Sequence, residues 1–415
     1  MRHISRGLSI GALLLVCGAG CMQKAVEQVA VQVKRIETGP LDLHALGDAP
    51  ISIDQTIVQD DSPAQEDSRN SNKAVNGKQR RDASSIDLDP QNVSALQWLA
   101  EHQLPDGSWN FDHRTGPCGG RCDGAGTATG ATNAATAMAL LPFLSLGQSH
   151  QRGEYQQTVG RGVAYLVSKA KHDKNGTSFH ERQGTMYSHG LATIVLCEAY
   201  GLTGDKQLKD VCQSALGFID YAQDPVGGGW RYSPRQPGDT SVSGWHVSAL
   251  KSGQLAGLTV PDKTLIGASR FFDSVQSDAG AKFGYTTPGA RRSTTAIGLM
   301  SRIHLGGKRD HEAWQRGIDY IQKIGPSPSD LYFNFHATQA ISQHGGEPWT
   351  KWQKSVGDLL HKTQAIDGHA TGSWHTGNDH STSRGGRLYC TSLATLILAI
   401  HHRKLGISQV EEDDR

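Results

Sequence analysis

The sequence predicts an all-α ring of six helix pairs, and three observations predict it. A Gln…Gly-aromatic phrase recurs along the chain, each copy stands between two apolar stretches of helical period, and the second stretch of each pair is rich in small residues. The phrase is clearest from Gln103 to Trp109, Gln-Leu-Pro-Asp-Gly-Ser-Trp. It returns from Gln223 to Trp230, at Gln276 with Gly284 and Tyr285, and at Gln364 with Gly372, Ser373 and Trp374. Degenerate copies stand near Gly176 to Phe179 and after Gln322. Intervals of about 40 to 55 residues are those of a two-helix repeat with a loop.

The first helix of a pair is read from runs such as Ala95, Leu96, Trp98 and Leu99, or Leu216, Phe218, Ile219 and Tyr221, whose spacing puts them on one face. The Asp-Gly and Gly-Gly steps that follow end that helix, because glycine reaches positive φ without a Cβ clash. The aromatic ring then covers the turn. Second helices are expected over Ala134 to Leu146, Leu191 to Tyr200, Val247 to Leu258, Thr294 to Leu305 and Thr391 to Ile400, where Ala, Gly, Ser and Thr permit close packing. One pair cannot bury its apolar face alone. Stacked pairs can, and six of them close into a ring with the small-residue helices inside.

These loops resemble those of the terpenoid cyclase and protein prenyltransferase superfamily, whose Gln-to-Trp motifs join the helices of an alpha-alpha toroid. The resemblance covers residues 91 to 405. It implies an apolar ligand in a central cavity, an isoprenoid or lipid, and two kinds of site to look for. Squalene cyclases carry Asp-x-Asp-Asp-Thr at the start of an inner helix. The similar string here, Pro237-Gly238-Asp239-Thr240, keeps only Asp239 and Thr240, with glycine in place of the acid donor. Protein prenyltransferases carry zinc on an Asp-x-Cys pair and a later His. Here Ser241 replaces the thiolate and Gly386 replaces the histidine, so no zinc is expected at Asp239. Asp239 is read first as the N-cap of the helix through Trp245 and His246.

The N-terminus reads as export machinery. Basic residues at Arg2 and Arg6 precede an apolar run from Leu8 to Val16, too short to span a bilayer. Gly18-Ala-Gly before Cys21 resembles a bacterial lipobox. Residues 1–21 are therefore expected to be a lipoprotein-type signal peptide with Cys21 as the lipidation site, anchoring an exported protein to the periplasmic or cell-envelope side of a membrane. Residues 22–90, rich in Gln, Asp, Ser, Asn, Lys and Arg, are expected to be a disordered tether, and 406–415 a polar tail. With 41 basic and 40 acidic residues the net charge is +1, which gives no electrostatic case for nucleic acid.

Of 7 cysteines, Cys17 and Cys21 belong to the leader. Cys118-Gly-Gly-Arg-Cys122 lies in a glycine-rich loop, and its leading explanation is a local disulfide; the alternative is a metal site completed by His113, with Asp123 nearby. A second polar cluster, His369, His375, Asp379 and His380, stands in the long loop of the last repeat and is read as solvated loop residues or a further metal or acid-base group.

In such a ring the inner helices all start on one side, so their free N–H groups face one mouth. The residues expected to bind ligand there are Trp245, Arg291, Arg292, Tyr332, His336 and Tyr389, with Asp239, His189 and His246 as catalytic candidates. Of Arg291 and Arg292, one is expected to enter the cavity and the other to pack outside. Three classes of function fit: an altered cyclase- or prenyltransferase-like enzyme or binder acting on an isoprenoid or lipid, a non-enzymatic envelope scaffold, and a polysaccharide lyase or glycosidase on the same architecture. The last ranks lowest because the helix starts offer few acids. No cofactor follows from the residues.

Overall fold

A computed structural model describes residues 89 to 400, apart from 310, 378 and 379. The leader with Cys21, the tether up to residue 88, Asp379 and the polar tail lie outside the described residues.

Twelve helices are present among the described residues, in six consecutive pairs. They are α1 (Pro90–Glu101) with α2 (Thr132–Ser145), α3 (Gln156–Ser168) with α4 (Thr185–Thr203), α5 (Lys206–Ala222) with α6 (Thr240–Leu255), α7 (Asp262–Val275) with α8 (Arg292–His304), α9 (Glu312–Ile324) with α10 (Leu331–His344), and α11 (Gly346–Thr363) with α12 (His380–Ala399). Two short hairpins decorate the loops, β1 (Lys171–Asp173) with β2 (Gly176–Ser178) and β3 (Gln276–Ser277) with β4 (Lys282–Phe283), both antiparallel. Each even-numbered helix packs on the next even-numbered one, and α12 returns to pack on α2 and α1. The ring is closed. This is an alpha-alpha toroid, with the even helices inside and the odd ones outside. No helix among the described residues is long and apolar enough to cross a membrane.

Burial separates the two layers. Along α2 every residue from Asn133 to Ser145 is buried, whereas α3 buries only Val159, Gly162, Val163 and Leu166 on one stripe. Small residues set the inner spacing: a Cβ on Gly244 of α6 would stand 2.3 Å from Cγ2 of Ile297 on α8.

The recurring phrase is explained bond by bond. In three repeats the glutamine amide donates twice, once to its own loop and once to the next outer helix. Gln103 Nε2 reaches Gly107 O and Thr158 O, both at 2.9 Å; Gln223 Nε2 reaches Gly228 O and Thr264 O, both at 2.8 Å; Gln364 Nε2 reaches Gly372 O and Gln91 O, both at 2.9 Å. The last of these joins the final repeat to the first. Tryptophan caps the helix it follows, its indole N–H donating to Leu99 O from Trp109, to Ile219 O from Trp230 and to Leu360 O from Trp374. That satisfies a terminal helix carbonyl which would otherwise be orphaned in the core. Glycine is required as well: Gly228 has φ +83°, and a Cβ there would lie 2.0 Å from Gly267 O of the neighbouring outer helix.

A further bond, not visible in the phrase itself, fixes each loop to its inner helix. The backbone N–H of the loop aromatic donates to a side chain of that helix: Trp109 to Thr136, Trp230 to Ser243, Phe283 to Thr295 and Trp374 to Thr391. In the second repeat the acceptor is His189 Nδ1, 3.3 Å from Phe179 N, and in the fifth Asn334 Oδ1 accepts from Ser327 N at 2.8 Å. In the fourth repeat the buried loop aromatic is Phe283 rather than Tyr285, because β4 turns Phe283 inward and leaves Tyr285 at the mouth.

Candidate functional site

The starts of α4, α6 and α10 gather an aromatic group around one carboxylate. Asp239 caps α6, its Oδ1 accepting from Val242 N at 2.9 Å. Its side chain is fully buried, and Oδ2 has no hydrogen-bond partner. The nearest cation to that oxygen is Arg231, whose Nε stands at 3.6 Å, beyond hydrogen-bond distance. Burial raises the Asp239 carboxyl above the ordinary range, opposed by the Val242 N–H, the Tyr285 hydroxyl and the Arg231 charge. Its proton is held more readily than an exposed aspartate's.

Aromatic rings surround this pair. Arg231 lies over the rings of Tyr232 and Tyr285, at 5.2 and 5.8 Å, and the two tyrosine hydroxyls bond each other at 2.8 Å. Tyr187 approaches Tyr232, with ring centroids 6.4 Å apart. Trp245 stacks on Phe335 and meets Tyr332 and His336. Burial raises the hydroxyl pKa of Tyr187, Tyr285 and Tyr332, so these groups stay protonated donors, and it lowers His336 to about 3. Next to Tyr187, Thr185 holds φ at 58° although it is β-branched, and its buried hydroxyl has no partner. Such a backbone conformation costs about 1–3 kcal/mol and concentrates at functional sites.

Other predicted residues fall elsewhere. His189 and His246 are fully buried, set among Phe179, Phe218 and Trp230 between the helix layers. Burial lowers His246 to about 4 and His189 well below its usual value. His189 holds the second-repeat loop, and His246 Nδ1 donates to Val242 O at 2.9 Å. The structure thus places both imidazoles in the packed layer, apart from the Asp239 cluster's rings, with Nε2 of each buried and neither accepting nor donating a hydrogen bond among the described residues. Arg292 pairs with Asp330, the N-cap of α10, at 2.9 Å and lies over Phe333. Arg291 is the N-cap residue of α8 and is exposed, so neither arginine enters the Asp239 cluster. Tyr389 stands half-buried on α12. Arg231, Tyr232 and Thr185 were not singled out with the cluster by spacing, because they reach it from loops and helix starts of different repeats.

A second cluster lies where the ring closes. Cys118 and Cys122 carry free thiols instead of the expected disulfide. They face two imidazoles, His102 at the end of α1 and His369 in the loop before α12. One ligand atom from each of the four residues lies within 4.8 Å of all the others. Cys122 Sγ is 3.6 Å from His102 Nε2 and 3.1 Å from His369 Nδ1. His113, the imidazole expected there from sequence, is not among the four; it packs edge-on to His102 with centroids 5.6 Å apart. Burial raises the Cys122 thiol to about 11 and lowers His102 and His113 to about 4, so both imidazoles are neutral near pH 7.

No protein-family model matches the chain, and no curated protein does. Solved structures do match its fold. The GH76A alpha-1,6-mannanase of Salegentibacter sp. HEL1_6, an inactive variant in complex with alpha-1,6-mannotriose, aligns over 74% of this chain and 98% of its own at 10% identity, with a TM-score of 0.52. The type II terpene cyclase MstE from Scytonema, in complex with geranylgeranyl dihydroxybenzoate, aligns over 75% of this chain and 96% of its own at 11% identity, with a TM-score of 0.51. A family 76 mannosidase from Bacteroides thetaiotaomicron aligns over 75% and 96% at 10% identity and 0.50. At these identities the shared property is the toroid.

Proposed function

We propose that the toroid binds an isoprenoid or a related lipid at the aromatic mouth, with Arg231 as the cationic contact and Asp239 as a protonatable group. The observation that carries this reading is the buried Oδ2 of Asp239, short of a hydrogen bond, facing Arg231 at 3.6 Å and set among tyrosine rings. An unsatisfied buried carboxylate oxygen costs stability, and a ligand hydroxyl or a proton would relieve that cost. The rings suit an apolar body, and the arginine suits an oxygen-bearing end. Glycoside cleavage fits less well. It calls for two carboxyl groups flanking one bond. Glu181, in the loop before α4, is occupied at the start of α2: both its oxygens accept from Asn133 N at 3.0 Å, and one accepts from Ser188 Oγ.

Thermal-shift titration of the full chain with squalene, geranylgeranyl diphosphate and mannotriose tests the proposal. An isoprenoid at a hundred times its Kd adds about 2.7 kcal/mol to stability, and Trp245→Ala and Arg231→Ala are expected to diminish that response. Stabilisation by mannotriose alone, or an isoprenoid response unchanged in both variants, overturns it.

A further inference from the structure

We infer that His102, Cys118, Cys122 and His369 form a closed, four-ligand zinc site that staples the first repeat of the ring to the last. The four residues are the donor set of a structural zinc centre. With Zn–S near 2.3 Å and Zn–N near 2.0–2.1 Å, tetrahedral ligand atoms lie about 3.3 to 3.8 Å apart. The 3.6 Å separation from Cys122 Sγ to His102 Nε2 already meets that geometry; the 3.1 Å one to His369 Nδ1 must open slightly, and the widest separations, at most 4.8 Å, must close by up to about 1 Å.

The surroundings are built for a metal. His102 Nδ1 is 2.6 Å from Trp98 O, so Nδ1 carries the proton and Nε2 presents its lone pair toward Cys122. The ring is held in place by stacking on Trp98, with centroids 3.9 Å apart. Cys122 N donates to Cys118 Sγ at 3.4 Å, a contact that fixes that sulfur within the turn. Between the two cysteines Gly119 and Gly120 hold φ at 56° and 77°, with open space where a Cβ would point; the left-handed backbone, not crowding, requires glycine there. The turn brings both sulfur atoms to the same side. All but His369 are buried, and all four positions of a tetrahedron are filled by protein, which leaves no open site for substrate. The site is structural for that reason.

Its position gives it a role in the fold. His102 and the two cysteines belong to the loop of the first repeat, and His369 belongs to that of the last. The same seam holds Arg387, which donates to Asp123 and to Ser373 Oγ, and Arg387 N, which donates to Gly124 O. In the resemblance to prenyltransferases the zinc would fall at Asp239, at the start of the inner helix of the third repeat, so this centre, held by loops of the first and last repeats, is a separate one.

The test is elemental analysis of the full chain purified without chelator, together with absorption spectra after replacement of the bound metal by Co(II). Stoichiometric zinc is expected, with sulfur-to-cobalt charge-transfer bands in the Co(II) form. Cys122→Ser and His369→Ala are expected to lose the metal, whereas His113→Ala and Cys212→Ser keep it. Should the ligand variants fail to fold, the wild-type Co(II) spectrum still decides, since only thiolate ligation gives those bands. A metal-free protein with Cys118 and Cys122 joined in a disulfide by peptide mapping overturns the inference. So does zinc retained in folded Cys122→Ser.

Discussion

Gln364 is the side chain that ties the last repeat to the first, and replacing it tests ring closure directly. Its amide donates to Gly372 O in its own loop and to Gln91 O in α1, each at 2.9 Å. Each such bond contributes about 0.5–1.5 kcal/mol net, so Gln364→Ala is expected to cost about 1–3 kcal/mol, similar to Gln223→Ala, which removes the equivalent pair within the ring. Gln364→Glu is expected to cost more. It keeps the shape but turns the donor into an oxygen that faces two carbonyls, so attraction becomes repulsion at both contacts. Urea unfolding followed by circular dichroism reads the differences as shifts in midpoint at constant slope. If the seam is closed as described, the order of stability is wild type, then Ala, then Glu. A midpoint unchanged in Gln364→Glu would refute the reasoning, because no arrangement that keeps both carbonyls against that side chain tolerates the exchange.

Two further outcomes follow from buried groups. Asp239 has a folded-state pKa above its unfolded value, so the native chain binds that proton more tightly; stability from this group is greatest below the ordinary aspartate range and falls as pH rises through the raised value. Asp239→Asn keeps the helix cap and removes the titration. The wild type should therefore lose stability relative to the variant over that window, and parallel pH profiles in thermal unfolding would contradict it. His189→Ala takes away the acceptor for Phe179 N and should cost about 1–3 kcal/mol in urea unfolding while leaving any isoprenoid response of the folded variant unchanged; a lost response at unchanged stability would return His189 to the ligand site.

The sequence alone determined the repeat, the order of outer and inner helices and the closed ring, because those rest on local chemistry. Gln103, Gln223 and Gln364 with their glycines and tryptophans solve the same problem at each outer-helix end, and a repeated local solution is visible as a repeated phrase. Asp239 was legible as a cap for the same reason. The partners of each functional group were not. His102 reads as an ordinary residue at a helix end, and His369 as part of a polar loop, yet ring closure sets them against Cys118 and Cys122 across 247 residues of chain in the Cys122–His369 contact. His113, nearer in sequence to the cysteines, was the natural expectation and lies one ring away. Likewise Arg231, not Arg291 or Arg292, stands beside Asp239, because Asp330 takes Arg292 and the Trp230 loop turns Arg231 toward the mouth. Backbone periodicity is written in neighbouring residues. Which side chains share a site is decided by the closure of the ring, which brings together loops that the sequence keeps far apart.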